Sequence, residues 1–97
     1  MNKMISDYEL ITRFIKGEDS CFEQIINRHK SKVFAYISLY VRDQALAEDI
    51  FQDTFLKVIQ SVKSGKYYDN GKFISWVMRI AHNLIIDHFR KIKQMNT

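Results

Sequence analysis

The sequence predicts an all-α fold, a small bundle of three long helices and one short N-terminal helix, and three observations carry that prediction. The 97 residues include no proline and only Gly17, Gly65 and Gly71 as breakers, so long helical runs go uninterrupted. Apolar residues recur three and four apart rather than alternating. Residues suited to helix N-termini stand just before these periodic stretches.

Ser6-Asp7-Tyr8-Glu9 reads as a capping box, with Ser at the N-cap and Glu three residues later. The short helix that follows places Leu10, Ile11, Phe14 and Ile15 inward, and Gly17 ends it. Ser20-Cys21-Phe22-Glu23 repeats the box and opens a longer helix. Its expected buried stripe is Phe22, Ile25, Ile26, His29, Val33, Tyr36, Ile37 and Tyr40, with Arg28, Lys30 and Lys32 facing water.

Asp43 is the expected cap of the third helix, which runs to about Lys63. Ala47, Ile50, Phe51, Thr54, Phe55, Val58 and Val62 form its apolar seam. Beside the seam, Glu48, Gln52 and Phe55 share one side, and Asp49 and Asp53 lie next to it, four residues apart. The result is an acidic and amide ridge containing an aromatic.

Gly65 stops the third helix, and Lys66–Lys72 makes a polar loop carrying Tyr67 and Tyr68. The fourth helix spans about Phe73 to Ile92. At about 100° per residue, Phe73, Val77, Ile80, Ala81, Leu84 and His88 face the core. Arg79, Asn83, Ile86 and Arg90 lie on the far side, with Trp76 at the margin. Arginines, an amide and a tryptophan beside a tyrosine-bearing loop suit single-stranded nucleic acid. Phosphates need Lys or Arg, unstacked bases need aromatic faces, and base edges need an amide or Arg.

The charge distribution points the same way. Residues 1–63 balance nine Lys/Arg against nine Asp/Glu, whereas residues 64–97 hold six against two, so the whole formal charge of +4 sits in the last third. A polyanion partner at that end is the physical implication. Enzyme chemistry finds no support. His29, His82 and His88 make no metal-binding spacing, Asp49 and Asp53 lack further ligands nearby, and Cys21 has no activating neighbour. The lone cysteine fits a reducing compartment, and no apolar run approaches the roughly 20 residues a membrane span needs. The expectation is a soluble, cytoplasmic chain without cofactor, metal or membrane insertion.

Two stretches together are specific. Ala47-Glu48-Asp49-Ile50-Phe51-Gln52-Asp53-Thr54-Phe55-Leu56-Lys57-Val58, followed by Phe73-Ile74-Ser75-Trp76-Val77-Met78-Arg79-Ile80-Ala81-His82-Asn83-Leu84-Ile85-Ile86-Asp87-His88-Phe89-Arg90, closely resembles region 2 of bacterial RNA polymerase sigma factors. The match is to the extracytoplasmic-function (ECF) group of the sigma-70 family, and Asp7–Lys16 and Ser20–Tyr40 also fit that domain.

The resemblance implies that Asp49, Gln52, Asp53 and Phe55 dock on the β′ clamp helices of core RNA polymerase. Acidic and amide groups there suit a partner that presents arginines. It also implies that the loop and the exposed face of the fourth helix read the non-template strand of the promoter −10 element. Tyr67 or Tyr68 would be a stacking wall; Trp76, Arg79 and Asn83 would contact DNA; and Lys72, Arg90 and Lys91 would hold phosphates. An anti-sigma factor is a further implied partner.

Housekeeping relatives carry adjacent tryptophans where this chain has Ser75-Trp76, so the full melting wedge is absent. Residues 1–93 are expected to form the region 2-like domain and 94–97 a tail or the start of a linker. The second, −35-binding domain of such factors is not in this sequence, and poor binding of duplex promoter DNA is expected. The rival reading is a non-catalytic helical protein-interaction module with no specific DNA ligand.

Overall fold

The computed structural model describes residues 4–67 and 70–95. Four helices follow one another: α1 (Asp7–Ile15), α2 (Ser20–Tyr40), α3 (Gln44–Lys63) and α4 (Phe73–Met95). The all-α expectation holds, with one short and three long helices. Helix α2 lies at the centre and packs against the other three, while α3 and α4 pack against each other.

Local chemistry sets most of the ends. The Ser6 hydroxyl accepts from the Glu9 amide at 3.1 Å, and the Asp43 carboxylate accepts from the Leu46 amide at 3.1 Å, so α1 and α3 are capped as expected. The second capping box does not form. The backbone is already helical at Asp19 (φ −61°, ψ −30°), which puts Ser20 inside α2 with no side-chain cap. Backbone carbonyls of Glu18 and Asp19 instead accept from Cys21 and Phe22 at 3.0 and 3.1 Å.

At the end of α3, the Gly65 amide donates to the Val62 carbonyl and the Lys66 amide to that of Ser61. This paired closure needs a left-handed residue between them, and Gly65 supplies it at φ +75°.

The core joins Leu10 and Phe14 of α1, Phe22, Ile25, Val33 and Ile37 of α2, Ile50, Phe55, Val58 and Val62 of α3, and Phe73, Val77, Ala81 and Ile85 of α4. Thr54 is fully buried, and its hydroxyl donates to the Ile50 carbonyl at 2.7 Å, which removes the penalty of an unpaired polar group. Phe22 links Phe14 (ring centroids 4.8 Å apart) to Phe55 (6.4 Å).

Several inward assignments shift. Ile15 and Tyr40 are exposed because each sits on the last turn of its helix, beyond the reach of the next packing layer. On α4 the buried strip is Phe73-Val77-Ala81-Ile85; Ile80, Leu84 and His88 are only half-buried flanks. Packing against both α2 and α3 centres the strip between them. Arg28 does not face water freely. It donates to Asp7 at 2.9 Å, and His29 Nε2 meets the same carboxylate at 2.9 Å, so one charged group latches α1 onto α2. No helix among the described residues is long and apolar enough to cross a membrane.

Candidate functional site

Two surfaces carry the residues singled out from the sequence. The first is the outer side of α3. Glu48, Asp49, Gln52 and Asp53 are all exposed, as helical spacing requires when Ala47, Ile50, Thr54 and Val58 face inward. Phe55 is not part of this surface. Only 4 % of it is exposed, and its ring packs on Phe22 and, at 5.1 Å, on Phe51. It belongs with Val58 and Val62 on the seam; the residue one turn beyond Gln52 on the outer side is Leu56, which is exposed.

The aromatic at the ridge is Phe51, half-buried and edge-to-face with Phe34 of α2 at 5.9 Å. Phe34, Ala35 and Phe51 floor an open groove of about 540 Å³ between α2 and α3, with Lys30, Glu48 and Gln52 at its rim. The ridge therefore divides two grooves. Gln52 and Glu48 border this apolar one, whereas Asp49 and Asp53 border a second, between α3 and α4, together with Lys57, Arg90 and Lys91.

The second surface is the loop and the start of α4. Lys66, Tyr67, Asn70, Lys72, Trp76 and Arg79 surround a cleft of about 270 Å³, with Ser75 between them. This is below the ~300–1,000 Å³ of typical small-molecule pockets. Local bonds shape it. The Lys72 amide donates to the Asn70 side-chain oxygen at 3.1 Å, Gly71 takes φ +82°, and the Lys72 carbonyl accepts the Trp76 amide to start α4.

Tyr67 is no free platform. Its ring lies 4.3 Å from Trp76, tilted by 36°, and edge-on to Phe73 at 5.8 Å. The aromatic wall is thus a prebuilt Tyr67–Trp76–Phe73 stack rooted in the core by the buried Phe73. Tyr68 lies outside the described residues.

The cleft brings together Tyr67, Lys72, Trp76 and Arg79 of the sequence-assigned set. Asn83 stands one turn beyond Arg79 on the same exposed face but does not line the cleft. Arg90 and Lys91 are also apart. Eleven residues of helix put Arg90 about 17 Å from Arg79, and both line the α3–α4 groove facing Asp49 and Asp53. Sequence reasoning missed Lys66 and Asn70 as cleft residues. The Asn70-Gly71 pair is a turn signal that marks a polar side chain folded back on the backbone.

The remaining titratable groups of note lie elsewhere. Burial pushes the Cys21 thiol above its ordinary value, and the Glu18 carboxylate that it meets at 3.5 Å adds to this. Burial likewise raises the Tyr36 hydroxyl, with Tyr40 contributing. Tyr36 also meets His82 Nδ1 at 2.9 Å, a bond between α2 and α4.

With this geometry in view, residues 25–94 match the family description "Sigma-70 region 2". The chain belongs to that family. Its relatives place it in the ECF group. It is 42% identical over 78 residues to RNA polymerase sigma factor CarQ of Myxococcus xanthus, covering 80% of this chain and 44% of that protein. It is 33% identical over 82 residues to ECF RNA polymerase sigma factor BldN of Streptomyces coelicolor (84% and 31% covered). ECF RNA polymerase sigma factor SigW of Bacillus subtilis is 35% identical over 78 residues (80% and 41% covered).

The chain thus spans less than half the length of each of these three relatives. Among solved structures, an engineered region 2 of sigmaE in complex with GTAAAA superposes with a TM-score of 0.83 at 28% identity, covering 98% of this chain and 97% of that one.

Proposed function

We propose that this chain is the part of a transcription initiation factor that holds core RNA polymerase with one face and an opened promoter strand with another. The observation that carries this reading is the loop cleft. It joins three cationic side chains, an amide and a built aromatic wall, with no carboxylate lining it among the described residues, on a fold shared with an engineered region 2 of sigmaE in complex with GTAAAA. One unstacked base of the −10 non-template strand enters the cleft against the Tyr67–Trp76 stack. Lys66, Lys72 and Arg79 take its phosphates, and Asn83 meets the strand further along α4.

A stacked base contributes about 1–3 kcal/mol, similar to the few kcal/mol that unpairing costs. Capture therefore depends on polymerase to hold the duplex open. Docking falls to Asp49, Gln52 and Asp53, whose exposed carboxylates and amide suit arginines on the β′ clamp helices, with Phe51 and Phe34 offering apolar surface beside them. An anti-sigma factor in the cytoplasm would act by covering these faces.

Binding of GTAAAA-type single strands, measured from low to high salt, tests the DNA half of this reading. Affinity should fall steeply with salt, by a slope of about 0.7 per phosphate held, and a scrambled strand should bind more weakly. Retention of core polymerase by the immobilised chain tests the other half. Polymerase retention with no salt-dependent strand binding would select the rival protein-interaction module instead.

A further inference from the structure

The aromatic wall of the loop cleft continues inward to a histidine. Phe73, buried at the start of α4, meets Tyr67 edge-on and lies 6.0 Å from Trp76. The imidazole of His29, on α2, comes within 5.8 Å of the Phe73 ring, tilted by 51°. His29 is itself tied to α1, because its Nε2 lies 3.0 and 2.9 Å from the two side-chain oxygens of Asp7. One line of contacts thus joins Asp7 in the first turn of α1, His29 of α2, and the Phe73, Trp76 and Tyr67 rings at the cleft. Among the described residues, none from α1 lines that cleft.

This line is more exacting than packing requires. An aliphatic side chain against Phe73 would need no partner, whereas a half-buried ring nitrogen does. A carboxylate only accepts, so Nε2 carries the proton and donates it to Asp7. That bond fixes the tautomer and leaves the ring little freedom to turn. The carboxylate is held in its turn, since Arg28 donates to Asp7 Oδ1 at 2.9 Å. The side chains of Asp7, Arg28 and His29 are each no more than a quarter exposed, where charge-assisted bonds hold geometry better than they do in open water.

We propose that His29 is a positioning residue for the loop cleft: held by Asp7, its imidazole seats Phe73, and Phe73 sets the tilt and depth of the Tyr67–Trp76 stack. This rests on the reading that the loop cleft holds single-stranded DNA. His29 touches no nucleotide and acts through Phe73. Losing the latch leaves the bundle folded, because Leu10 and Phe14 still bury α1 in the core. It frees the imidazole, and the stack above Phe73 loses the fixed placement that a base needs.

Trp76 is the one tryptophan of the chain, so its emission reports the stack directly. The test compares the full chain with its Asp7→Ala, Asp7→Glu and His29→Gln variants. Each is followed by tryptophan emission, acrylamide quenching, affinity for GTAAAA strands, polymerase retention and melting. Asp7→Ala should move the emission maximum, raise quenching and bind the strand about fivefold more weakly, a fraction of what one stacked base contributes. Polymerase retention should stay at the parent level. His29→Gln keeps a donor for Asp7 but offers Phe73 no ring, and should behave as Asp7→Ala does. Asp7→Glu restores a carboxylate and should recover most of the emission and the affinity.

A latch that only stabilised the fold would lower the melting temperature and leave emission, quenching and affinity of the folded chain at parent values. That result in Asp7→Ala and His29→Gln overturns the proposal. So does shifted emission with unchanged strand affinity while an Arg79→Ala variant, run in parallel, binds more weakly. If Arg79→Ala also binds as the parent does, the loop-cleft reading fails, and the part of His29 in strand capture falls with it.

Discussion

The α3 ridge and the loop cleft present functional side chains in opposite ways. On the ridge, Glu48, Asp49, Gln52 and Asp53 project from the outside of a helix whose inner face is closed by Ile50, Thr54 and Val58. Their positions follow from helical pitch alone. The cleft is assembled from parts that no single period relates. These are a left-handed Gly71, an Asn70 side chain turned onto the Lys72 amide, and a tyrosine stacked on a tryptophan nine residues away. Ridge residues can be removed without disturbing their scaffold, whereas Tyr67, Asn70, Gly71 and Trp76 are themselves the scaffold of the cleft.

The largest expected effect probes the boundary of the ridge. Phe55→Ala removes a core ring and should cost about 3–5 kcal/mol of stability, seen as a lowered melting temperature. The fraction that remains folded should still hold polymerase; a selective loss of docking with normal stability would return Phe55 to the ridge. Next in size, Gln52→Ala with Asp53→Ala should weaken polymerase binding about tenfold, or about 1.4 kcal/mol. Stability should stay within about 0.5 kcal/mol, as for exposed sites. Unfolding of that double variant would end the contrast drawn above.

Gly71→Ala sharpens it from the other side. An added Cβ meets nothing within 4 Å at φ +82°, so the cost is backbone strain alone, about 1–2 kcal/mol. Strand binding should drop while polymerase binding is kept. Arg79→Ala should change less, lowering the salt slope of strand binding by about 0.7 with no loss of stability.

The smallest effect belongs to neither face. The Cys21 and Tyr36 groups are both raised by burial. Above their ordinary values of 9.0 and 10.0, the unfolded chain therefore loses protons that the folded chain keeps. Stability should decline as pH rises past about 9, and both functions should be lost together. Cys21→Ser and Tyr36→Phe should flatten that decline in pH-dependent melting.

The sequence by itself determined the four helices, two of the three caps named in it, the end of α3 at Gly65 and the exposure of Asp49, Gln52, Asp53, Arg79 and Asn83. All of these depend on period, capping chemistry or a breaker, and such interactions reach no further than a turn or two. Only the tertiary structure decided which apolar residue beside the ridge is free. Phe51 and Phe55 both satisfy the seam, and the choice depends on where α2 crosses. The same holds for Ile85 replacing Ile80 and Leu84 at the centre of the α4 strip, for the Asp7 latch to Arg28 and His29, and for the place of Arg90 and Lys91 opposite two aspartates. Contacts between residues distant in the chain depend on how helices lie against one another, and side-chain shape sets that packing only when the whole core closes.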